Sequence, residues 1–593
     1  YIMSNKILGY LLCLFGLFFL LLSFFTEYFK GIYQDFGLKQ NGLLVINIDF
    51  GLKQIALSVI SVVIICFGVF LLRGFKIYQA FKASEKIPPY QQIAITIIFS
   101  IVMAILLIYP LQFVVKYLSF PFPFEYRDAA SIYAAVGFSK GVNPYSLQNF
   151  PGHIYLYGLL YPVMLMPFVN LIHPLLAAAA INVVFLILFL IMSFWIFRKR
   201  HASIISSLIG LLILLNSTCL IWKNNGSRPD MPGLFFALLG LCFLLKREPG
   251  IIRILLCALS CVISFYLKQY MIFSALVVAV YLYFFVSKQK GYIFIATTLA
   301  LGLVSFLVIR SFFPLYYEYS IMHHITVAGD YPTLMEEQTL FFLFFYWVLF
   351  LIYLFHLYKE FRTFGLKRLK KIRIMPFNLQ EPFLRGGSAD LFDVGIIVSA
   401  LILEILLGKH DGNTYTYYGE LLLPFLLYLT IPKIDELIKG NLPRHLIQGL
   451  ILAFCVIPMQ FTYSTDFAAY QKAFLMVYQY AGQCNNIYDE TPLVAMYKIE
   501  HNMYPVYNDG QIEYAWSIIP DKGTIYGKLS TLTTESVNQK LLVWNNAIEN
   551  NINNRKFDCI FSESEQGIKN YKQIAKVENV LDRTIYIFVP NKQ

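Results

Sequence analysis

Apolar runs of about twenty residues recur along this chain, and they constrain its fold more than any other feature. A helix needs about 20 apolar residues to cross the hydrocarbon core of a bilayer. Such runs lie near 7–25, 54–72, 93–116, 174–197, 203–222, 230–246, 251–267, 269–287, 292–311, 339–358, 393–407, 418–432 and 446–463. The first reads as a span rather than a signal peptide, being too long and poorly followed by small residues. Of 593 residues, 58% are hydrophobic and 14% are charged. Soluble domains carry about 25% charged residues, so an aqueous fold is excluded. The expected fold class is a polytopic α-helical membrane protein with about 13 transmembrane helices and a small C-terminal α/β domain.

Charge placement orients the spans. Arg73, Lys76, Lys82 and Lys86 follow the second run, Arg198 to Arg200 the fourth, Lys246 and Arg247 the sixth, and Lys288 and Lys290 the eighth. The loop 359–392 holds eight basic residues against three acids. If the runs alternate in direction, all these clusters share one side, which the positive-inside rule makes cytoplasmic. The N-terminus is then cytoplasmic, and thirteen spans place the tail outside the cytoplasmic membrane. The net charge of +12 is thereby accounted for without nucleic acid. The apolar stretch 154–172 is broken by Pro162 and Pro167. Were it a span, Arg198–Arg200 would move outside, so it reads as an external interfacial helix.

Three regions follow: a two-helix hairpin at 1–92, a membrane domain at 93–463 with its long outer loop at 117–173, and a soluble tail at 464–593. The polar tail begins with a helix-like segment near 466–483 and holds β-rich runs near 557–561 and 584–589. Nine cysteines follow no metal-binding spacing. Cys484 and Cys559 both lie in the exported tail, where disulfides are permitted.

The chemistry-bearing residues sit at the outer ends of the runs. They are Glu125 and Asp128; Arg228-Pro229-Asp230, opening a helix; Lys268-Gln269, between two runs with almost no loop; and Gly408 to Glu420. Ionisable groups at the edge of hydrocarbon are costly unless paired or solvated, which marks a functional cavity by default. The adjacent His323 and His324 with Asp330 lack the second spaced pair of a zinc site, so no metal and no cofactor is expected. Asn508-Asp509-Gly510 reads as a turn.

These motifs resemble the GT-C superfamily of membrane glycosyltransferases, in the branch of the protein O-mannosyltransferases and the lipid A aminoarabinose transferase. They are most similar to bacterial relatives with an acid in the first large outer loop, an Arg-Pro-Asp helix start, a Lys-Gln between spans and a late Gly-Lys…Asn-Tyr-x-x-Glu segment. Here Asp128, Arg228-Pro229-Asp230, Lys268-Gln269 and Gly408-Lys409…Thr416-Tyr417-Tyr418-Gly419-Glu420 carry the likeness, with Thr416 where the relatives have Asn. It spans roughly residues 93 to 593. It implies transfer of a sugar from a polyprenyl-phosphate donor to a lipid, glycan or protein acceptor outside the cytoplasmic membrane.

In that chemistry Asp128 is the expected general base, with Glu125 in reserve. Arg228 and Lys268 are the expected phosphate partners. Asp230, Gln269, Lys409, Tyr417 and Glu420 complete the donor site. Each has a plainer alternative. Asp128 can pair with Arg127 or cap a helix, Asp230 can cap the helix it opens, and the cations can snorkel toward lipid headgroups. A multi-pass transporter or lipid flippase is the competing function, but no internal repeat is visible. Glu404 is the main ionisable group inside a run, so the polar groups sit at the rim rather than along a path.

Overall fold

The structure is a computed structural model. It describes residues 89–124, 128–226, 228–245, 249–322, 342, 345–355, 391–409, 419–437, 441–463, 467–503, 506–507, 533–580 and 583–591. By its internal contacts the chain divides into two compact units, Tyr1–Ile97 and Ile98–Gln593. The apolar runs near 7–25 and 54–72, Glu125, the histidine pair at 323–324, Asp330, Tyr417 and the turn at 508–510 lie outside the described residues.

Helices occupy the apolar runs from residue 93 onward, because a chain in hydrocarbon must satisfy its own backbone hydrogen bonds. They are α1 (Pro89–Ser119), α4 (Pro174–Lys199), α5 (Ile204–Asn225), α6 (Asp230–Cys242), α7 (Ile251–Leu267), α8 (Phe273–Tyr281) and α9 (Lys288–Phe312). Then follow α10 (Phe345–Phe355), α11 (Leu391–Lys409), α12 (Gly419–Leu437), α13 (Asn441–Ile451) and α14 (Ile457–Tyr463). Among the described residues, five helical runs are long and apolar enough to cross a membrane: Thr96–Ser119, Pro174–Lys199, Ile204–Lys223, Gln269–Val286 and Lys288–Phe312. The protein is thus a largely helical, multi-pass membrane protein.

The outer faces of the helices are apolar. Ile105 and Val115 on α1, Ile191 on α4, and Leu299 and Leu303 on α9 are all more than half exposed, as lipid-facing side chains are. α5 is mostly buried at the centre of the bundle. α6 and α7 pack through small residues, which let helix backbones approach closely in lipid. A Cβ at Gly240 would lie 3.4 Å from the Cys257 carbonyl, the Cys261 sulfur and the Ser260 Cβ. The Ser264 hydroxyl donates to the Gly233 carbonyl at 2.7 Å.

The long loop after α1 folds at one end of the bundle. It contains α2 (Asp128–Ser139) and α3 (Leu160–Leu165). The helix expected over 154–172 is therefore only one and a half turns long. Residues 154–156 carry no regular secondary structure, and Pro162 and Pro167 withhold the amide protons that a longer helix would need. Phe168, Leu171 and Ile172 beyond it remain exposed.

The tail comprises α15 (Phe467–Ala481), β1 (Ile487–Asp489), α16 (Ala495–Glu500), α17 (Thr534–Asn553), β2 (Cys559–Ser562), β3 (Tyr571–Val580) and β4 (Arg583–Pro590). Its four strands lie in the order β1-β2-β4-β3, with β1 and β2 parallel and the other pairs antiparallel. Cys484 and Cys559 are bonded, their Cα atoms 6.0 Å apart.

Three apolar clusters join this tail to the long loop. Phe120 and Phe122 pack with Phe474, Val477 and Ile587. Ala129, Ile132 and Val136 of α2 pack with Ala495, Met496 and Ile499. Val537 of α17 joins Tyr145, Phe150 and Tyr155. The tail and the loop thus form one cap, and α2, the helix that begins at Asp128, lies within it.

Candidate active site

Asp128 is the first residue of α2 and is only 1% exposed. The backbone N–H of Phe124 donates to its Oδ2 at 2.9 Å, which fixes the carboxylate beside the turn that enters the helix. The partial positive charge of a helix N-terminus favours a carboxylate at this position. The opposite wall is backbone. Gly226 ends α5 with φ of +58°, and a Cβ there would fall 2.0 Å from Asp128 Oδ1 and 2.2 Å from Oδ2. The segment linking α5 to α6 is therefore pressed onto the acid, and only glycine leaves it room.

That same segment carries Arg228 and Asp230, both buried. Pro229 is the residue that precedes α6, and Asp230 opens it. The Asp230 carboxylate is turned toward the α7–α8 junction. The Tyr270 hydroxyl donates to its Oδ1 at 2.5 Å, and Lys268 Nζ lies 3.5 Å from the same oxygen. Asp230 thus has specific side-chain partners beyond any capping role.

Lys268 occupies the break between α7 and the 3₁₀ turn Gln269–Ile272, in extended conformation (φ −150°, ψ 121°). This break turns the side chain inward, leaving it 3% exposed. A snorkelling lysine would hold its ammonium at the surface; both Lys268 and Arg228 are instead inside the protein. Desolvating such a charge costs several kcal/mol unless it is paired. Asp230 supplies the counter-charge, and the ring of Tyr157 lies 4.0 Å from Lys268 Nζ and 5.8 Å from the Arg228 guanidinium carbon. Gln269 donates from Nε2 to the carbonyls of Leu156 and Ser320, each at 3.1 Å.

The irregular stretch around Tyr155 and Tyr157 ties these elements together. Ser131, one turn after Asp128, meets the Tyr155 hydroxyl at 3.1 Å. Tyr157 follows two residues later, and the two rings are 5.8 Å apart, edge to face. The acid-bearing helix, the α5–α6 segment and the α7–α8 break therefore converge. Asp128 stands 100 positions before Arg228, and Arg228 stands 40 before Lys268.

Sequence reasoning missed Tyr155, Tyr157, Tyr270 and Gly226. Tyr270 stands two residues beyond the quoted Lys268, and Gly226 lies within the polar segment that contains Arg228. Tyrosines are too common here, at 42, for any of them to stand out. Lys409 and Glu420 fall in α11 and α12, but their side chains, like Tyr417, lie outside the described residues. Among the described residues no group of three His, Cys, Asp or Glu could hold a metal ion.

No protein-family profile matches the chain, and no curated protein matches it. Among solved structures it is similar to the crystal structure of ArnT from Cupriavidus metallidurans bound to undecaprenyl phosphate. The identity is 12% and the TM-score 0.43, over 83% of this chain and 97% of that one. The reading of the site rests on its own geometry.

Proposed function

We propose that this protein is a membrane glycosyltransferase that moves a sugar from a polyprenyl-phosphate donor to an acceptor hydroxyl outside the cytoplasmic membrane. The observation that carries the reading is the buried convergence of one helix-terminal carboxylate, Asp128, with two cations, Arg228 and Lys268, where the cap of long loop and tail meets the helices. Displacing a lipid phosphate from a sugar carbon needs those two kinds of group.

In the proposed step the acceptor oxygen attacks the anomeric carbon while its proton passes to the Asp128 carboxylate. The bond between the anomeric carbon and the phosphate oxygen breaks, and its electrons leave with the polyprenyl phosphate. Arg228 and Lys268 neutralise the departing phosphate, Lys268 exchanging part of its contact with Asp230 for the phosphate oxygens. A single displacement inverts the donor carbon. Lys409, Tyr417 and Glu420 remain candidate donor contacts. The wider layout belongs to the same proposal: a hairpin at 1–92, a membrane domain at 93–463, an exported α/β tail at 464–593, thirteen spans and a cytoplasmic N-terminus. The Cys484–Cys559 bond supports an exported tail, since such bonds persist in oxidising compartments.

Asp128→Asn tests the reading, because it keeps the shape and removes the basicity. Transfer should fall about 10²–10⁴-fold, while undecaprenyl phosphate binding to the purified protein stays near parental. A variant that expresses normally and transfers at the parental rate would exclude Asp128 as the base.

A further inference from the structure

A phenol ring shared by two buried cations is unexpected if its purpose is only to fill space. Tyr157 is such a ring, with Lys268 Nζ at 4.0 Å and the Arg228 guanidinium carbon at 5.8 Å from its centre. The two cations carry like charge and repel each other. The negative face of an aromatic ring can attract each without a formal charge that would compete with an incoming anion.

The backbone on both sides of Tyr157 is fastened to the very turn that presents Lys268. Gln269 donates to the Leu156 carbonyl at 3.1 Å. On the other side, a Cβ at Gly158 would fall 2.2 Å from the Tyr266 carbonyl oxygen and 2.3 Å from that of Leu267. Gly158 therefore lets this segment lie directly against the last turn of α7. The backbone that carries the ring and the backbone that presents the ammonium therefore meet at one junction.

We propose that Tyr157 is a positioning residue, its ring the common platform that holds Lys268 and Arg228 in register for a lipid-linked phosphate. This rests on the phosphate-binding reading above. The platform contributes no bond to substrate; its effect is felt through the two cations. Gln269, on this view, serves the platform rather than the donor.

The test uses the full-length purified protein with undecaprenyl phosphate and undecaprenol as probes. The parent should bind the phosphate more tightly than the alcohol. Tyr157→Leu should lose roughly 3- to 30-fold in affinity for the phosphate and nothing for the alcohol, and Tyr157→Phe should restore binding. Should the leucine variant fail to fold, phenylalanines carrying one, two and three ring fluorines at position 157 decide alone. Their shape barely changes while the ring's attraction for cations weakens, so phosphate affinity should fall stepwise. Affinity that is flat across the fluorinated series, or parental in Tyr157→Leu, overturns the platform and leaves the phosphate reading intact. A parent that does not distinguish phosphate from alcohol overturns the phosphate reading itself, and the platform with it.

Discussion

Gly226→Ala is the most informative single change, because it perturbs Asp128 without altering any functional group. The added Cβ would lie 2.0, 2.2 and 2.3 Å from Oδ1, Oδ2 and Cγ of Asp128, and ordinary contact begins at 3.4 Å. The carboxylate must therefore retreat by about 1.4 Å, or the α5–α6 segment must lift away from it. Retreat is opposed by the Phe124 amide bond and by the position of Asp128 at the head of a buried helix. Alanine at φ +58° and ψ −145°, a region essentially reserved for glycine, costs about 1–3 kcal/mol from backbone sterics alone. Overpacking a buried site adds about 1–3 kcal/mol. The expected loss of stability is thus about 2–6 kcal/mol.

Displacing a reacting group by about 1 Å can cost roughly 10²-fold in rate, so transfer should fall by at least that much in folded molecules. Thermal unfolding of the purified variant reads the first effect. Mass spectrometry of envelope glycans in cells that depend on the variant reads the second. A double variant separates backbone strain from the clash. Asp128→Ala removes all three crowded atoms, so adding Gly226→Ala to it should cost only the backbone share, about 1–3 kcal/mol less than the sum of the two single changes. Strict additivity, or a Gly226→Ala variant with parental stability and transfer, would show that the acid is not confined as described.

Three further outcomes are expected. Lys268→Ala and Arg228→Ala should each weaken undecaprenyl phosphate binding roughly ten- to a hundredfold, the value of one charge-assisted contact; parental binding in both would return these residues to a structural role. Cysteines introduced at positions 370 and 540 and treated with an impermeant reagent in intact cells should label at 540 and not at 370, and the reverse would overturn the topology and every site inferred from it. In the tail, burial raises the Asp489 carboxyl from 3.8 to about 6 against the partial offset of Lys498, 3.1 Å away. The folded chain holds that proton more tightly than the unfolded one, so the stability this carboxyl contributes is full below about pH 4 and lost as pH rises through about 6. Compared with Asp489→Asn, the parent should therefore gain thermal stability between pH 7 and pH 4, and a difference that does not change with pH would refute this.

The helices were legible because an apolar run as long as Pro174–Lys199 has no other stable form in lipid. The acid and the two cations were legible for a related reason. A charge at the edge of hydrocarbon must find a partner, so Asp128, Arg228, Asp230 and Lys268 drew attention by their cost. What the charges meet was not legible, because uncharged partners leave no such trace. Tyr157 lies more than a hundred residues from Lys268, and only the fold shows that these two share a face. The interfacial helix expected over 154–172 failed for the same reason. Hydropathy reported its apolar character, but the structure uses Tyr155 and Tyr157 in an irregular segment, Tyr155 meeting Ser131 of α2 and Tyr157 the Lys268 ammonium at the α7–α8 break. Gly158 makes the point most sharply. Its lack of a side chain carries no signal in a hydropathy profile, yet the two carbonyls it must clear decide where that segment runs and which ring lies beside Lys268. In a membrane protein the sequence announces groups that are expensive to bury, whereas the small and aromatic residues that make their burial tolerable are found only where the chain brings them together.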